Sequence, residues 1–306
     1  MTWLLVSISS YLFFALAALG DKVVLKNVPK PKLYTFYVGF LSIFAVLIYP
    51  FINFTLPDKE TFMWAFFDGI VYVWGLYVLF SALKKYEVSR VIPTIGAVQP
   101  IFIYLIAIII WPVASLILNQ ANLIAFFLLL IGGIMISTEK NYNVTKDSVG
   151  LSFFAALLFS LDFIFQKFVF LKMDMISGFV LMRFLGAIIS LIFLFDKEVR
   201  KDIRKKEGEK VGIVFVFAQI AGGLATIFQS WAIVLVPVGY LAIMNALKGV
   251  QYVFLFFLTA ILSYFIPKFF KESLSRKILI QKLIAVLIIA IGLAVLVLYG
   301  ECLDCY

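Results

Sequence analysis

The sequence predicts an all-α polytopic membrane protein with ten transmembrane helices arranged as two inverted five-helix repeats. Three observations carry this expectation. Of 306 residues, 64% are apolar and 14% charged, whereas soluble domains run near 45–50% and about 25%. Apolar runs of roughly the 20 residues needed to cross a ~30 Å hydrocarbon core recur along the chain, separated by short connections. The two halves also carry similar segments in the same order.

The runs fall at 2–19, 33–54, 62–83, 90–111 and 122–138 in the first half, and at 149–170, 176–195, 211–236, 238–266 and 280–299 in the second. The first is as continuous as the rest and lacks a basic leader, so it reads as a span and not as a signal peptide. The fourth contains Pro93 and Pro100, which loosen its backbone. The seventh is followed by the one sizeable charged connection, 196–210. The ninth carries Lys248 in its interior. No soluble domain fits anywhere, and the repeats occupy 1–140 and 147–300, with a short tail at 301–306.

The duplication rests on paired segments. ALGDKVVL in the first span matches DFIFQKFVF in the sixth, placing Lys22 on Lys167. VQPIFIYL in the fourth matches VQYVFLFF in the ninth, placing Gln99 on Gln251. An odd number of spans per half inverts the second repeat, an architecture whose sites lie near the midplane. Twenty-one Lys and Arg fall on the side opposite the N-terminus, against Lys59, Lys167 and Lys172 on the other. The positive-inside rule therefore places both termini outside.

Histidine is absent, which removes imidazole metal sites and proton relays. Neither G-x-x-x-x-G-K-[ST] nor G-x-S-x-G occurs, so neither an ATP-driven pump nor an enzyme is expected. Cys302 and Cys305 form a lone C-x-x-C with no second pair for zinc, an exposed disulfide being the alternative. No cofactor or nucleic-acid partner is expected. The partners are a small-molecule substrate and the lipid bilayer, with a homodimer possible.

Four ionisable residues lie inside the spans: Asp68, Asp162, Arg183 and Lys248. Each carries an insertion penalty of at least ~2.5–3.5 kcal/mol at a helix centre, so each faces a partner, the interior or water. At ~1.5 Å per residue they lie about 9, 12, 10 and 15 Å from one membrane face, all in the same half. Three readings stay open. Asp162 pairs with Arg183 or Lys248 as a structural lock; a cation faces a cavity and binds an anionic group; or Asp68 or Asp162 exchanges a coupling proton or ion. Asn245, Lys248 and Tyr252 share one helical face, Gln229 belongs to a set of the same period in the eighth span, and the fourth span offers Gln99. The candidate substrate-binding residues are therefore Lys248, Arg183, Asn245, Gln99, Gln229 and Tyr252. Asp162 and Asp68 are the coupling or ion-pair candidates. Lys22 and Lys167 sit at helix ends and read as snorkelling anchors.

SALKKYEVSRVIPTIGAVQPIFIYLIA and WAIVLVPVGYLAIMNALKGVQYVFLFFLTAIL resemble the EamA-type branch of the drug/metabolite transporter superfamily. The resemblance covers essentially the whole chain. It implies a secondary transporter that moves a small polar or anionic metabolite by alternating access between its repeats. A flippase-like mover of a lipid-linked headgroup is the alternative. Members with ten helices usually keep both termini in the cytosol, and many carry an acidic residue between the fourth and fifth helices. This chain departs from both patterns.

Overall fold

The computed structural model describes residues 2–25, 30–86, 88–111, 120–137, 146–203, 209–265 and 276–299. Cys302, Cys305 and the side chains of Lys22 and Pro93 lie outside what it describes. Among the described residues there is no strand. The first five helices are α1 Thr2–Leu25, α2 Pro31–Leu41, α3 Lys59–Lys85, α4 Val88–Ile110 and α5 Gln120–Ser137. They are followed by α6 Lys146–Lys172, α7 Met175–Ser190, the short α8 Lys197–Ile203 and α9 Glu209–Leu235. The last three are α10 Leu241–Ala246, α11 Lys248–Phe265 and α12 Arg276–Tyr299.

Eight helical stretches among the described residues are long and apolar enough to cross a membrane. The apolar stretches of α4 and α5, Thr94–Ile110 and Gln120–Ile136, are shorter. Large apolar side chains such as Leu5, Ile109, Ile213 and Leu287 face outward, the surface a lipid-bathed bundle presents. The broadest interfaces join α1 to α9, α3 to α6 and α5 to α12. Two helices change pitch partway: α2 continues as a 3-10 helix over Ser42–Phe51, and α7 does so over Leu191–Phe195.

Local chemistry sets several boundaries. Pro31 opens α2, where its missing N–H is not needed. Asp58 caps α3 by accepting from Thr61 N at 2.7 Å. Asp174 caps α7 by accepting from Ile176 N at 3.1 Å and Ser177 N at 2.9 Å. Partial burial pushes the Asp174 carboxyl up, but hydrogen bonds from Ser177, Thr55 and Ile176 outweigh it and hold it below the usual carboxylate range. A group with a depressed folded pKa stabilises above its unfolded value and loses that contribution as pH falls through the folded one. Asp174→Ala is therefore expected to cost about 1 kcal/mol at neutral pH. The gap from wild type should close on acidification, as read by thermal unfolding in detergent.

The exposed ion pairs sit at the ends of the bundle. Lys172 reaches Glu60 at 2.5 Å, while Lys30 reaches Asp202 at 2.8 Å and Lys32 reaches Asp196 at 2.6 Å. Exposed pairs of this kind contribute little to stability.

Lys167 differs from the anchoring role expected of it. It is 4% exposed, and its ammonium donates to the carbonyls of Val236 at 2.6 Å, Ile233 at 2.8 Å and Val234 at 3.3 Å. These carbonyls end α9, where the helix has run out of its own donors. An ammonium with three hydrogens and no acceptor suits such a cluster, and its charge opposes the negative end of the helix dipole.

Candidate functional site

The intramembrane polar residues gather where α3, α4, α6, α7 and the α10–α11 junction approach one another. The ninth apolar run is interrupted at Leu247, between α10 and α11. Leu247 N donates to Ile243 O at 3.2 Å, and Val250 N closes back on Leu247 O at 2.8 Å, so the chain turns tightly there. Lys248 is thus the first residue of α11. Its side chain stays partly accessible, and Nζ donates to Gln99 Oε1 on α4 at 3.0 Å.

Gln99 is buried and held from both ends. Its Nε2 donates to Phe159 O on α6 at 3.3 Å, and its backbone carbonyl accepts from Ser160 Oγ at 3.1 Å. The lysine is therefore docked on an amide that α6 fixes. Asn245 lies one turn before Lys248 and is 1% exposed. Neither its Oδ1 nor its Nδ2 has a partner. Buried amides without partners are uncommon, because leaving such groups unpaired costs about 1–3 kcal/mol.

A second group adjoins the first. Asp68 on α3 and Asp162 on α6 are 1% and 5% exposed, and their carboxyls interact electrostatically. Asp162 Oδ2 also accepts from Gln166 Nε2 at 3.0 Å, and Gln166 Oε1 accepts from Ser230 Oγ on α9 at 3.4 Å. Arg183 on α7 is 5% exposed. Its guanidinium lies 4.3 Å from the Tyr72 ring and 5.5 Å from the Phe179 ring. The Asp68 and Asp162 Oδ1 atoms and Arg183 Nε and Nη1 have no hydrogen-bond partner. The charges of Arg183 and both carboxyls act on one another, and Lys248 acts on Asp162. The ion pairs found among the described residues lie at the bundle ends, and none of them joins these four groups.

The candidates divide accordingly. Lys248, Gln99 and Asn245 come together around the α10–α11 break, while Arg183, Asp68 and Asp162 form the adjoining charged group. Tyr252 is engaged elsewhere, donating to Ile92 O at 2.9 Å. Gln229 is partly buried on α9, next to Ser230. Tyr72 and Ser160 were not singled out from the sequence, although Tyr72 follows Asp68 by one helical turn and so shares its face.

No protein-family model matches the chain, and no curated protein matches it. Among solved structures, the crystal structure of a protein 15% identical in sequence aligns over 98% of this chain and 97% of its own, with a TM-score of 0.66. At that identity the likeness concerns the fold alone.

Proposed function

We propose that the chain is a secondary transporter of the EamA type, built from ten spans in two inverted repeats, that carries a small metabolite through its anionic group. The observation that carries this reading is Lys248. It is a half-buried lysine at the start of α11, in an apolar bundle, whose ammonium is bound to an amide instead of a carboxylate. Leu247 keeps right-handed helical backbone, and the N–H groups of Leu247 and Val250 are both bonded, so the ammonium supplies the positive charge an anion would meet. Asn245 adds a buried amide with both donors and acceptor free.

The repeat reading counts α4 and α5 as spans and draws support from the packing. Exchanging each span with its counterpart five places on turns the α1–α9 interface into α6–α3, and α4–α6 into α11–α1. Both members of each pair are present. The second and seventh spans, also counterparts, both finish as 3-10 helices. Alternating access then proceeds by rocking one repeat against the other around Lys248. Gradients or exchange supply the energy, and both termini lie outside.

The flippase-like reading has one feature in its favour. An apolar hollow of about 180 Å³ between α4, α5 and α10 is lined by Ile101, Tyr104, Phe126, Phe127 and Ile243, two residues from Asn245. It would take an acyl chain whose headgroup reached Lys248.

A melting-temperature panel on purified wild type and Lys248→Gln separates these readings. Inorganic phosphate, L-glutamate, L-alanine, sorbitol and short-chain phosphatidylglycerol serve as probes. A ligand at a hundred times its Kd stabilises by about 2.7 kcal/mol. We expect phosphate or glutamate to raise the wild-type midpoint and leave Lys248→Gln unmoved. A shift by the lipid alone favours the flippase. If Lys248→Gln is unstable without ligand and Asp162→Asn restores it, the lysine is a structural partner and the transporter site lies elsewhere.

A further inference from the structure

α9 divides its surface into three faces. Ala218, Ala225 and Phe228 lie on α1: a Cβ at Gly20 would meet Ala218, Ser10 Oγ donates to Ala225 O at 2.9 Å, and Phe228 stacks on Phe13. Ile213, Ile220 and Leu224 are exposed and form the lipid side. The third face carries Phe215, Gln219, Gly223, Thr226 and Ser230, whose spacing of three or four residues makes one helical stripe. The ends of this stripe are occupied. Phe215 meets the rings of Tyr34 and Tyr37 on α2 at 6.1 and 6.2 Å, and Ser230 Oγ donates to Gln166 Oε1 on α6. Its middle is open: a Cβ at Gly223 would meet nothing within 4 Å.

The opposite wall is the 3-10 continuation of α2. It runs along α7, tied by Ser42 Oγ to Arg183 O at 2.9 Å and, beyond its far end, by Thr55 Oγ1 to Asp174 Oδ2 at 3.0 Å. Yet none of its residues, Ser42–Phe51, is buried. Among the described residues no broad interface joins α2 or this continuation to α9. The counterpart pair under the repeat exchange, α3 with α7, is closed. Gly69 abuts Leu185 and Gly186, and Tyr77 meets Phe193 at 5.6 Å. α2 and α9 thus touch at Tyr34 and Phe215 and part toward the end of α9. The result is a slot facing lipid, with α7, which touches both walls, as its floor.

The walls differ in chemistry. α9 offers Gln219 and Thr226, whereas the 3-10 stretch offers exposed Phe44, Leu47 and Phe51. At the inner end of that stretch stands Arg183, 5% exposed, with Nε and Nη1 unpartnered. No ion pair among the described residues engages it. A buried guanidinium with free donors favours a carboxylate or phosphate. At ~1.5 Å per residue, Arg183 lies about 12 Å from the start of α7 and Thr226 about 14 Å from the end of α9. These depths count from one level, because α7 follows α6 and Lys167 near the end of α6 holds the end of α9.

We infer that this slot is a lateral doorway from the bilayer, and that the transported metabolite is an amphipathic anion. Its carboxylate or phosphate is drawn to Arg183, and its apolar part lies along the 3-10 stretch. The doorway stands on the packing alone, and the cargo class rests on the transporter reading.

Thiol labelling in proteoliposomes tests both, in a Cys302→Ser, Cys305→Ser background. Gly223→Cys places its side chain in open space and should fold. We expect it to react with a membrane-partitioning maleimide several times faster than Ala225→Cys, which is buried against α1. Octyl phosphate should slow that reaction several-fold, while inorganic phosphate and octylamine leave it unchanged. Equal rates for Gly223→Cys and Ala225→Cys overturn the doorway. So does labelling of Gly223→Cys by a charged, water-soluble reagent alone, since the slot then opens to water. Equal protection by octylamine overturns the anionic cargo. Protection by phosphatidylglycerol but not by octyl phosphate overturns the small metabolite and gives the slot to a membrane lipid. Protection that survives Arg183→Gln overturns the role of the guanidinium; if that variant does not fold, the octylamine comparison still decides the charge. The melting-temperature panel on Lys248→Gln reports separately on the transporter reading.

Discussion

Lys167→Met is expected to unfold far more readily than wild type. The substitution keeps much of the apolar stem and removes an ammonium that donates to three carbonyls at the end of α9. A hydrogen bond involving a charged group contributes about 1.5–3 kcal/mol, and each buried acceptor left unpaired costs more than the mean bond gained. Removing one partner from a buried charged arrangement costs about 3–5 kcal/mol. At ~2–4 °C per kcal/mol for a large domain, the midpoint should fall by on the order of 10 °C. Lys167→Arg should be intermediate, because a planar guanidinium cannot point three hydrogens into a cage shaped for an ammonium. Lys172→Met is the control, since Lys172 pairs with exposed Glu60 and should shift stability by less than about 1 kcal/mol. A Lys167→Met protein that melts with wild type would mean that water replaces the ammonium at those carbonyls.

The second large effect is expected from a single methyl group. Gly96 faces Tyr252 across the α4–α11 crossing, and a Cβ at position 96 would overlap Tyr252 Oη and lie 3.2 Å from Cζ. The hydroxyl cannot simply withdraw, because it donates to Ile92 O on the same face of α4. Pro100 adds rigidity of another kind. It has no N–H for the carbonyl of Gly96, and its ring crowds the preceding turn. Overpacking of this sort costs about 1–3 kcal/mol. Gly96→Ala should therefore lower the unfolding midpoint by several degrees and displace Lys248 from Gln99, weakening anion binding in the same panel. Tyr252→Phe alone should cost about 1 kcal/mol for the lost hydrogen bond. In the Gly96→Ala background the same change should instead raise stability, because the closest atom is gone. That reversal of sign is a coupling energy, measurable by a double-mutant cycle. If the two losses simply add, α4 has moved away from α11 and the contact does not govern the crossing.

What the sequence made legible follows from which forces are local. Apolar runs report the solvent around a helix, so the all-α character and the positions of eight long apolar helices were readable. The α7 start at Met175 lies one residue from the expected 176. Helical periodicity also put Asn245 and Lys248 on one face, and the structure places them together at the break. Periodicity does not say which neighbour a face meets. Lys248 takes Gln99, an amide, and not the carboxylate that charge matching suggested. The interaction of Asp68 with Asp162 depends on α3 lying tightly along α6 and α7. At Gly69, beside Asp68, a Cβ would sit 3.1 Å from Gly186 N, so bare backbone is what allows that approach. The burial of Lys167 was hidden for a related reason. Its acceptors are main-chain carbonyls, which every residue carries and which leave no mark in a sequence. The interruption at Leu247 was equally silent, because no proline or glycine stands at that residue to announce it.

The change of pitch in the second and seventh spans bears on membrane thickness. A 3-10 helix rises about 2.0 Å per residue against 1.5 Å for an α-helix. Pro31–Phe51, with 21 residues, therefore reaches about 37 Å instead of about 32 Å. Its neighbour α3 has 27 residues and measures about 40 Å as a regular α-helix. Stretching the thread lets a short segment keep level with long ones, so the bundle presents a more even hydrophobic height to the lipid. Such a wall needs less bilayer deformation around its perimeter, where each ångström of mismatch costs a fraction of a kcal/mol.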